Sequence, residues 1–221
     1  MRRRSLLRLG LGAGLGLGLS LGARPALAGP RDAPLLRKAT FSERGGGVIM
    51  DMQVSELLRA SDKDAMASLD SGFATRLVYY VAVFRYGARR PVAARRREVR
   101  IHFDPWNERY VVETIDDGRP SRRRDFDTRE QAIRAAVRLR IRVARGDELE
   151  RGEGKVYFVR VSAQRNPLDD DSRGRTGGRG RSRDVDVFGR WVSIFVRARL
   201  RAEVEREFRS PNFYLVEQGA G

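Results

Sequence analysis

The stretch that most limits the possible folds of this chain is residues 73–86, which read FATRLVYYVAVFRY. Valine, tyrosine and phenylalanine dominate this stretch, and these residue types favour β-strands. In its middle the apolar residues occupy both faces, which indicates a strand that is covered on both sides. The sequence therefore predicts a β-sheet with this strand at its centre.

A β-hairpin is predicted to follow this central strand. In residues 92–103 apolar side chains alternate with polar ones, and residues 109–115 return as a second strand. Asp116-Asp117-Gly118 closes the unit with residues that tolerate a positive φ. Further strands are predicted at residues 48–54, 155–163, 188–196, 197–209 and 212–216. For residues 197–209 a helix is the alternative, and we favour a strand.

Two helices are predicted. The first spans residues 61–72, with Ser61 or Asp62 as its N-cap. The second begins at Asp127 or Thr128 and ends at Gly146. Its apolar stripe is formed by Ala132, Ala135, Ala136, Leu139 and Val143.

Consecutive hairpins and few helices predict the fold class, an antiparallel β-sandwich-like domain with one or two peripheral helices. This single domain is expected to span residues 48–217, after a flexible leader at 29–47 and before a short tail at 218–221. Within it, residues 166–184 are rich in glycine and arginine and contain one large apolar residue. That composition predicts a disordered loop.

The first 28 residues have the pattern of a cleaved signal peptide. A positive front is followed by Leu9–Leu21, an uncharged run of thirteen residues, and then by Ala26 and Ala28 at the positions that a signal peptidase reads. Thirteen residues are too few to cross a bilayer, which takes about 20. We therefore expect a periplasmic or secreted protein of a Gram-negative envelope, without a transmembrane anchor.

The export route has two possible readings. Arg3 and Arg4, followed by Leu6 and Leu7, match a twin-arginine signal, whereas the general secretory route also begins with basic residues. The chain contains no cysteine, so it has no disulfide bond and no lipid-attachment cysteine.

The charge of the chain has two explanations, an arginine-rich composition spread over the whole sequence and contact with an anionic partner. The full chain carries +16, and loss of five arginines with residues 1–28 leaves +11. The candidate anion-binding residues are Arg95, Arg96, Arg97, Arg122, Arg123, Arg124, Arg173, Arg175, Arg179, Arg181 and Arg183. No aromatic residues are interleaved with the glycine-arginine loop for base stacking, so an envelope protein or an anionic lipid or lipopolysaccharide surface is expected rather than a nucleic acid.

No catalytic, metal-binding or cofactor-binding residue is predicted. His102 is the single histidine, and Asp104 lies two residues away without a nucleophile motif nearby. One histidine and no cysteine give too few ligands for zinc. The acidic runs at residues 169–171 and 184–186 lack the spacing of a calcium loop.

Short segments mark the order of the elements along the chain. They are Leu69-Asp70-Ser71-Gly72, Arg89-Arg90-Pro91, Glu108-Arg109-Tyr110-Val111-Val112, Phe126-Asp127-Thr128-Arg129-Glu130-Gln131-Ala132, the positions Gly152, Tyr157, Val159 and Val161, and Asn166-Pro167-Leu168. With these segments the chain resembles, over about residues 48–200, a family of exported proteobacterial proteins known as domain of unknown function 4390. The resemblance implies an exported β-rich domain and carries no assigned activity.

These observations predict a non-enzymatic envelope protein that binds a partner or an anionic surface. The alternative is an envelope hydrolase that uses carboxylates as acid and base. The acidic pairs Asp116-Asp117 and Glu148/Glu150 are its candidates, and such chemistry requires a cleft between two carboxylates.

Overall fold

The structure of the chain is a computed structural model, which describes residues 34–167 and 202–217. This part of the chain contains ten strands and two α-helices. The strands are β1 (Leu35–Leu36), β2 (Ala39–Arg44), β3 (Gly47–Gln53), β4 (Thr75–Arg85), β5 (Pro91–Asp104), β6 (Arg109–Asp116), β7 (Arg119–Phe126), β8 (Arg138–Arg145), β9 (Tyr157–Arg165) and β10 (Val204–Arg209). The helices are α1 (Lys63–Asp70) and α2 (Arg129–Ala136).

The described strands form two sheets. The larger one has seven strands in the order β1-β10-β9-β4-β5-β6-β7, and the smaller one has three in the order β2-β3-β8. All pairings are antiparallel except the short pairing of β1 with β10. The predicted class, a mainly β, sandwich-like domain with peripheral helices, is confirmed.

The core lies between the two sheets. Strand β4 is the middle strand of the large sheet, as predicted, and Leu77, Tyr79 and Val81 on one of its faces are buried. From the small sheet, Met50 and Leu139 join the same core. The period-2 alternation of both strands places every second side chain in this layer.

The predicted hairpin of β5 and β6 and the predicted helix α1 are confirmed. Asp62 is the N-cap of α1, and its carboxylate accepts a hydrogen bond from the Ala65 N–H at 3.1 Å. In the turn that follows β6, Asp117 and Gly118 have φ values of 48° and 81°. These two positive φ values are those of a two-residue hairpin turn, which leads the chain from β6 into β7.

The prediction of a helix reaching Gly146 is wrong beyond Ala136. The chain leaves α2 at Val137 and forms β8, in which Leu139, Ile141 and Val143 are buried while the arginines between them are exposed. This strict alternation has the period of a strand, and pairing with β3 satisfies the backbone.

Three further differences concern short segments. The predicted flexible leader is wrong from residue 35 onward, because β1 and β2 form there and Gly45-Gly46 make the turn into β3 with φ values of 57° and 68°. Residues 212–216 are not a strand, since they form a single bridge between Phe213 and Tyr157. Strand β7 was not predicted, because its eight residues include one large apolar side chain.

Several predictions lie outside the described residues. They are the signal peptide, most of the disordered loop, the strand at 188–196 and the tail. The strand predicted over residues 197–209 is confirmed for β10, which begins at Val204. Among the described residues, no helix has the length and apolar character needed to span a membrane.

Candidate anion-binding surface

Of the predicted arginine clusters, the one at Arg95–Arg97 is compensated within the molecule. These residues lie on β5, and each contacts a carboxylate. Arg95 donates to Glu148 at 2.7 Å, Arg96 donates to Glu98 at 2.8 Å, and Arg97 donates to both oxygens of Asp116 at 2.6 and 2.8 Å. These side chains are largely withdrawn from solvent.

Glu98 is the centre of the densest charge cluster. Its side chain is only 4% exposed, and it accepts hydrogen bonds from Arg76 at 3.0 Å, from Arg96 at 2.8 Å and from Arg100 at 2.8 Å. Burial raises the pKa of Glu98. The hydrogen bonds from Arg76 and Arg100 lower this pKa by more than burial raises it, so that it lies below its usual value. Glu98 is therefore an ionised counterion that holds three guanidinium groups on the sheet.

The carboxylates of the two acidic pairs, Asp116-Asp117 and Glu148/Glu150, are also hydrogen-bonded or ion-paired within the chain. Asp116 binds Arg97, and the Asp117 carboxylate accepts the Arg96 N–H at 2.8 Å. Glu148 binds Arg95, and Glu150 contacts Lys155 at 2.5 Å. The hydrogen bond from Lys155 lowers the pKa of Glu150.

His102 and Asp104 do not form the beginning of a triad. The Asp104 carboxylate accepts the main-chain N–H of Trp106 at 3.0 Å and the side-chain amide of Asn107 at 2.8 Å. The bond from Asn107 is the main cause of the lowered pKa of Asp104. Asp104 thus stabilises the turn between β5 and β6 rather than orienting an imidazole.

A pocket in the described part of the chain is lined mainly by glycines and arginines. This surface pocket of about 220 Å³ lies beside the turn from β2 to β3. Its one carboxylate, Glu43, is bound by Arg151 at 2.6 and 3.1 Å. Within the described ranges, no group of three or more potential metal ligands is found.

The cluster at Arg122–Arg124 has a different environment. It lies on β7, the last strand of the seven-stranded sheet in the described structure, where every residue except Phe126 is exposed. Arg122 contacts no described carboxylate. Arg124 lies over the ring of Phe126 at 4.9 Å, and Arg123 has only loose contacts, at 3.5 Å to Glu113 and 3.6 Å to Asp125.

The sequence interpretation missed other exposed arginines. Arg119 begins β7, and Arg140 and Arg142 project from β8, and none of them has an ion pair with a described residue. Their neighbour Arg138 binds Asp51 at 2.6 Å, and this bond lowers the pKa of Asp51. The sequence signal for these arginines is the strict alternation of arginine with apolar residues over 138–143, which has the period of a strand and not of the predicted helix. The predicted arginines between 173 and 183 and the export residues lie outside the described ranges.

The fold and this surface define a small β-domain of two sheets. Its strand β7, the last of the described seven-stranded sheet on that side, carries arginines whose charge no close ion pair compensates. Comparison with known families gives a match to the family described as Domain of unknown function (DUF4390) over residues 32–168. The chain belongs to this family. No curated protein and no solved structure matches it.

Proposed function

We propose that this protein is a non-enzymatic binding module that is exported to the cell envelope and contacts an anionic partner through the arginines of β7. The observation that carries this proposal is the contrast between the arginine clusters. The arginines of β5 are bound by buried or half-buried carboxylates, whereas Arg119, Arg122 and Arg124 are exposed on a strand with a single acidic residue, Asp125. Such unpaired charge attracts an anionic partner and raises its association rate.

The carboxyl groups of the described residues support binding over catalysis. A general acid that works near neutral pH needs a raised pKa, as does the acid of a glycosidase. The described carboxyl groups with a clearly shifted pKa are Asp51, Asp62, Glu98, Asp104 and Glu150, and every shift is downward. Each of them accepts hydrogen bonds, from an arginine, a lysine or its own turn.

The proposal that the protein is exported rests on the sequence of its first 28 residues. Processing after Ala28 would release a chain that begins at Gly29. Fractionation of Gram-negative cells that express the full gene, with mass spectrometry of the N-terminus, tests this. We expect the processed chain in the periplasmic fraction, and an unprocessed chain confined to the cytosol would contradict export.

The binding half is tested on immobilised heparin as a generic polyanion. We expect retention at low salt and release as the salt concentration rises, because exposed ion pairs are screened. The double variant Arg122→Gln/Arg124→Gln should elute at clearly lower salt than the wild type.

A charge-matched control separates a site from net charge. Arg89 and Arg90 lie in the exposed turn between β4 and β5 and have no ion pair with a described residue. Arg89→Gln/Arg90→Gln therefore removes the same charge from another surface. Equal loss of retention in both double variants would show that net charge alone is responsible and would refute a β7 site.

A further inference from the structure

Strand β7 has one edge that no described strand covers. It pairs with β6 from the Asp116–Arg119 pair to the Tyr110–Phe126 pair, with a register shift that leaves Ser121 without a register partner on β6, and it ends the described sheet order on that side. Half of the main-chain N–H and C=O groups of such a strand point away from its neighbour. An uncovered edge of this kind is a template for another extended segment.

The side chains of β7 give this edge an alternating charge pattern. Arg122 and Arg124 share one face of the strand with Phe126, while Arg123 and Asp125 lie on the other face. An added strand has the same two-residue repeat. Acidic residues at every second position of that strand would therefore all lie beside Arg122 and Arg124, at Cβ–Cβ separations of about 5 Å.

The same arginines disfavour a second copy of this chain as the added strand. Two β7 strands that pair edge to edge would bring arginines opposite arginines, with a single aspartate, Asp125, in each strand. Like charges directly opposite in a sheet are destabilising, and charged edges are a common protection against self-pairing. Charge thus selects an acidic partner and rejects a copy of itself.

Pro120 limits how far the added strand can extend. Proline has no N–H to donate, so pairing that needs a donor begins after it. The regular part of the edge after the register shift runs over residues 122–126, long enough for three alternate acidic side chains.

We propose that the open edge of β7 is a β-augmentation site for an extended, acidic segment of a partner protein, with acidic residues at alternate positions. The proposal deepens and rests on the proposed function, since it names the partner of the same arginines. Main-chain hydrogen bonds would supply affinity, and the alternating arginines would supply selection.

The test uses labelled peptides and the full 221-residue chain, with binding followed by fluorescence anisotropy. The probe is a peptide of alternating threonine and glutamate, and the matched control has the same composition with all glutamates in one block. Two further probes keep the alternating sequence and carry N-methyl groups at the odd or at the even positions. Because one edge of a strand uses every second N–H, one of these two should bind tenfold or more weakly and the other should retain binding.

On the protein side, Arg122→Gln/Arg124→Gln should weaken binding of the alternating peptide about fivefold, because two exposed ion pairs are lost. Arg89→Gln/Arg90→Gln should change it less than twofold. Equal affinity for the alternating and block peptides, or for both N-methylated peptides, would overturn edge addition. Dimerisation through β7, detected by sedimentation and lost in the arginine variant, would also overturn it.

Two outcomes separate this inference from the proposed function. Saturable binding to phosphatidylglycerol vesicles without binding to the alternating peptide would assign the arginines to a membrane surface, and the proposed function would stand. Absence of binding to peptide, vesicles and heparin would overturn both.

Discussion

Single residues show how this arginine-rich chain tolerates so many cations in a compact domain. The Glu98 carboxylate on β5 accepts hydrogen bonds from three guanidinium groups and offsets part of their charge. Arg165, at the end of β9, binds Asp62 at 2.6 Å and Glu203 at 3.0 Å and also donates to the Leu57 carbonyl at 3.2 Å. Such buried charges are tolerated because they are paired and hydrogen-bonded.

Replacing Glu98 should therefore be costly. Glu98→Gln keeps the shape but leaves three arginines without their counterion, and we expect a loss of about 3 kcal/mol in the free energy of unfolding. Chemical denaturation monitored by circular dichroism measures this. The matched control is Glu113→Gln on β6. Among the described residues its carboxylate has one ion pair, with Arg123 at 3.5 Å, and this substitution should cost less than about 1 kcal/mol. Equal effects of the two substitutions would contradict the role of Glu98.

The stability of the fold should fall in acid. The pKa values of Glu98 and Asp62 are lowered, the latter mainly by the hydrogen bond from Arg165, so the folded state binds fewer protons than the unfolded state. The two carboxylates contribute fully to the free energy of unfolding above their pKa values in the unfolded state, which are about 4. This contribution is lost as the pH falls through their lower pKa values in the folded state. Urea midpoints measured from neutral pH into acid should drop below about pH 4, and less steeply in Glu98→Gln. A midpoint that rises in that range would contradict this assignment.

At the scale of elements, α2 and β8 show how two periodicities compete in one sequence. The apolar residues of 132–143 satisfy a helical stripe, yet Leu139, Ile141 and Val143 also alternate with arginine as a strand requires. Tertiary contacts decide between them. The Tyr79 hydroxyl donates to the Ala136 carbonyl at 3.2 Å and the Val54 N–H to the Val137 carbonyl at 2.9 Å, which ends the helix against the sheet.

Ile141 distinguishes the two conformations experimentally. It is buried in β8 but would lie opposite the apolar stripe of a continuous helix. We expect Ile141→Ala to lower the free energy of unfolding by about 3 kcal/mol, since a buried branched side chain is lost. Its exposed neighbour serves as the control, and Arg140→Ala should change stability by less than about 0.5 kcal/mol. Similar values for both would favour the helix.

Elements whose own residues show a strand or turn pattern were predictable from the sequence. Elements that form because they pair with another part of the chain were not. Strands β4 to β6 and the Asp117-Gly118 turn carry their own periodicity and turn residues. Strand β7 exists because it pairs with β6, and no apolar alternation within it indicates this. Glycine-rich residues 45–47 suggest flexibility, although two glycines there form a tight hairpin turn.

Some contacts of the candidate site likewise follow from the local sequence, and others do not. In the observed register of the β5–β6 hairpin, Arg97 pairs with Asp116, since each lies seven residues from the Asp104–Arg109 pair. That signal could have shown that Arg97 is compensated. The bond between Arg95 and Glu148 joins distant parts of the chain and carries no local signal.

At the scale of the whole molecule, the positive charge of the described residues falls into two groups, arginines in close ion pairs and exposed arginines. The arginines Arg95, Arg96 and Arg97 of β5 are bound by carboxylates, while Arg119, Arg122 and Arg124 of β7 are exposed and have no ion pair with a described residue. Net charge alone would spread an anionic ligand over the entire surface, whereas an edge site confines it to one strand.

The most direct test of this central claim is an amide hydrogen-exchange map of the full chain with and without the alternating acidic peptide. We expect new protection confined to residues 122–126, because the added strand would bond the open N–H groups of β7. Protection spread evenly over the arginine-rich surface, or found at another strand while β7 exchanges unchanged, would contradict the account.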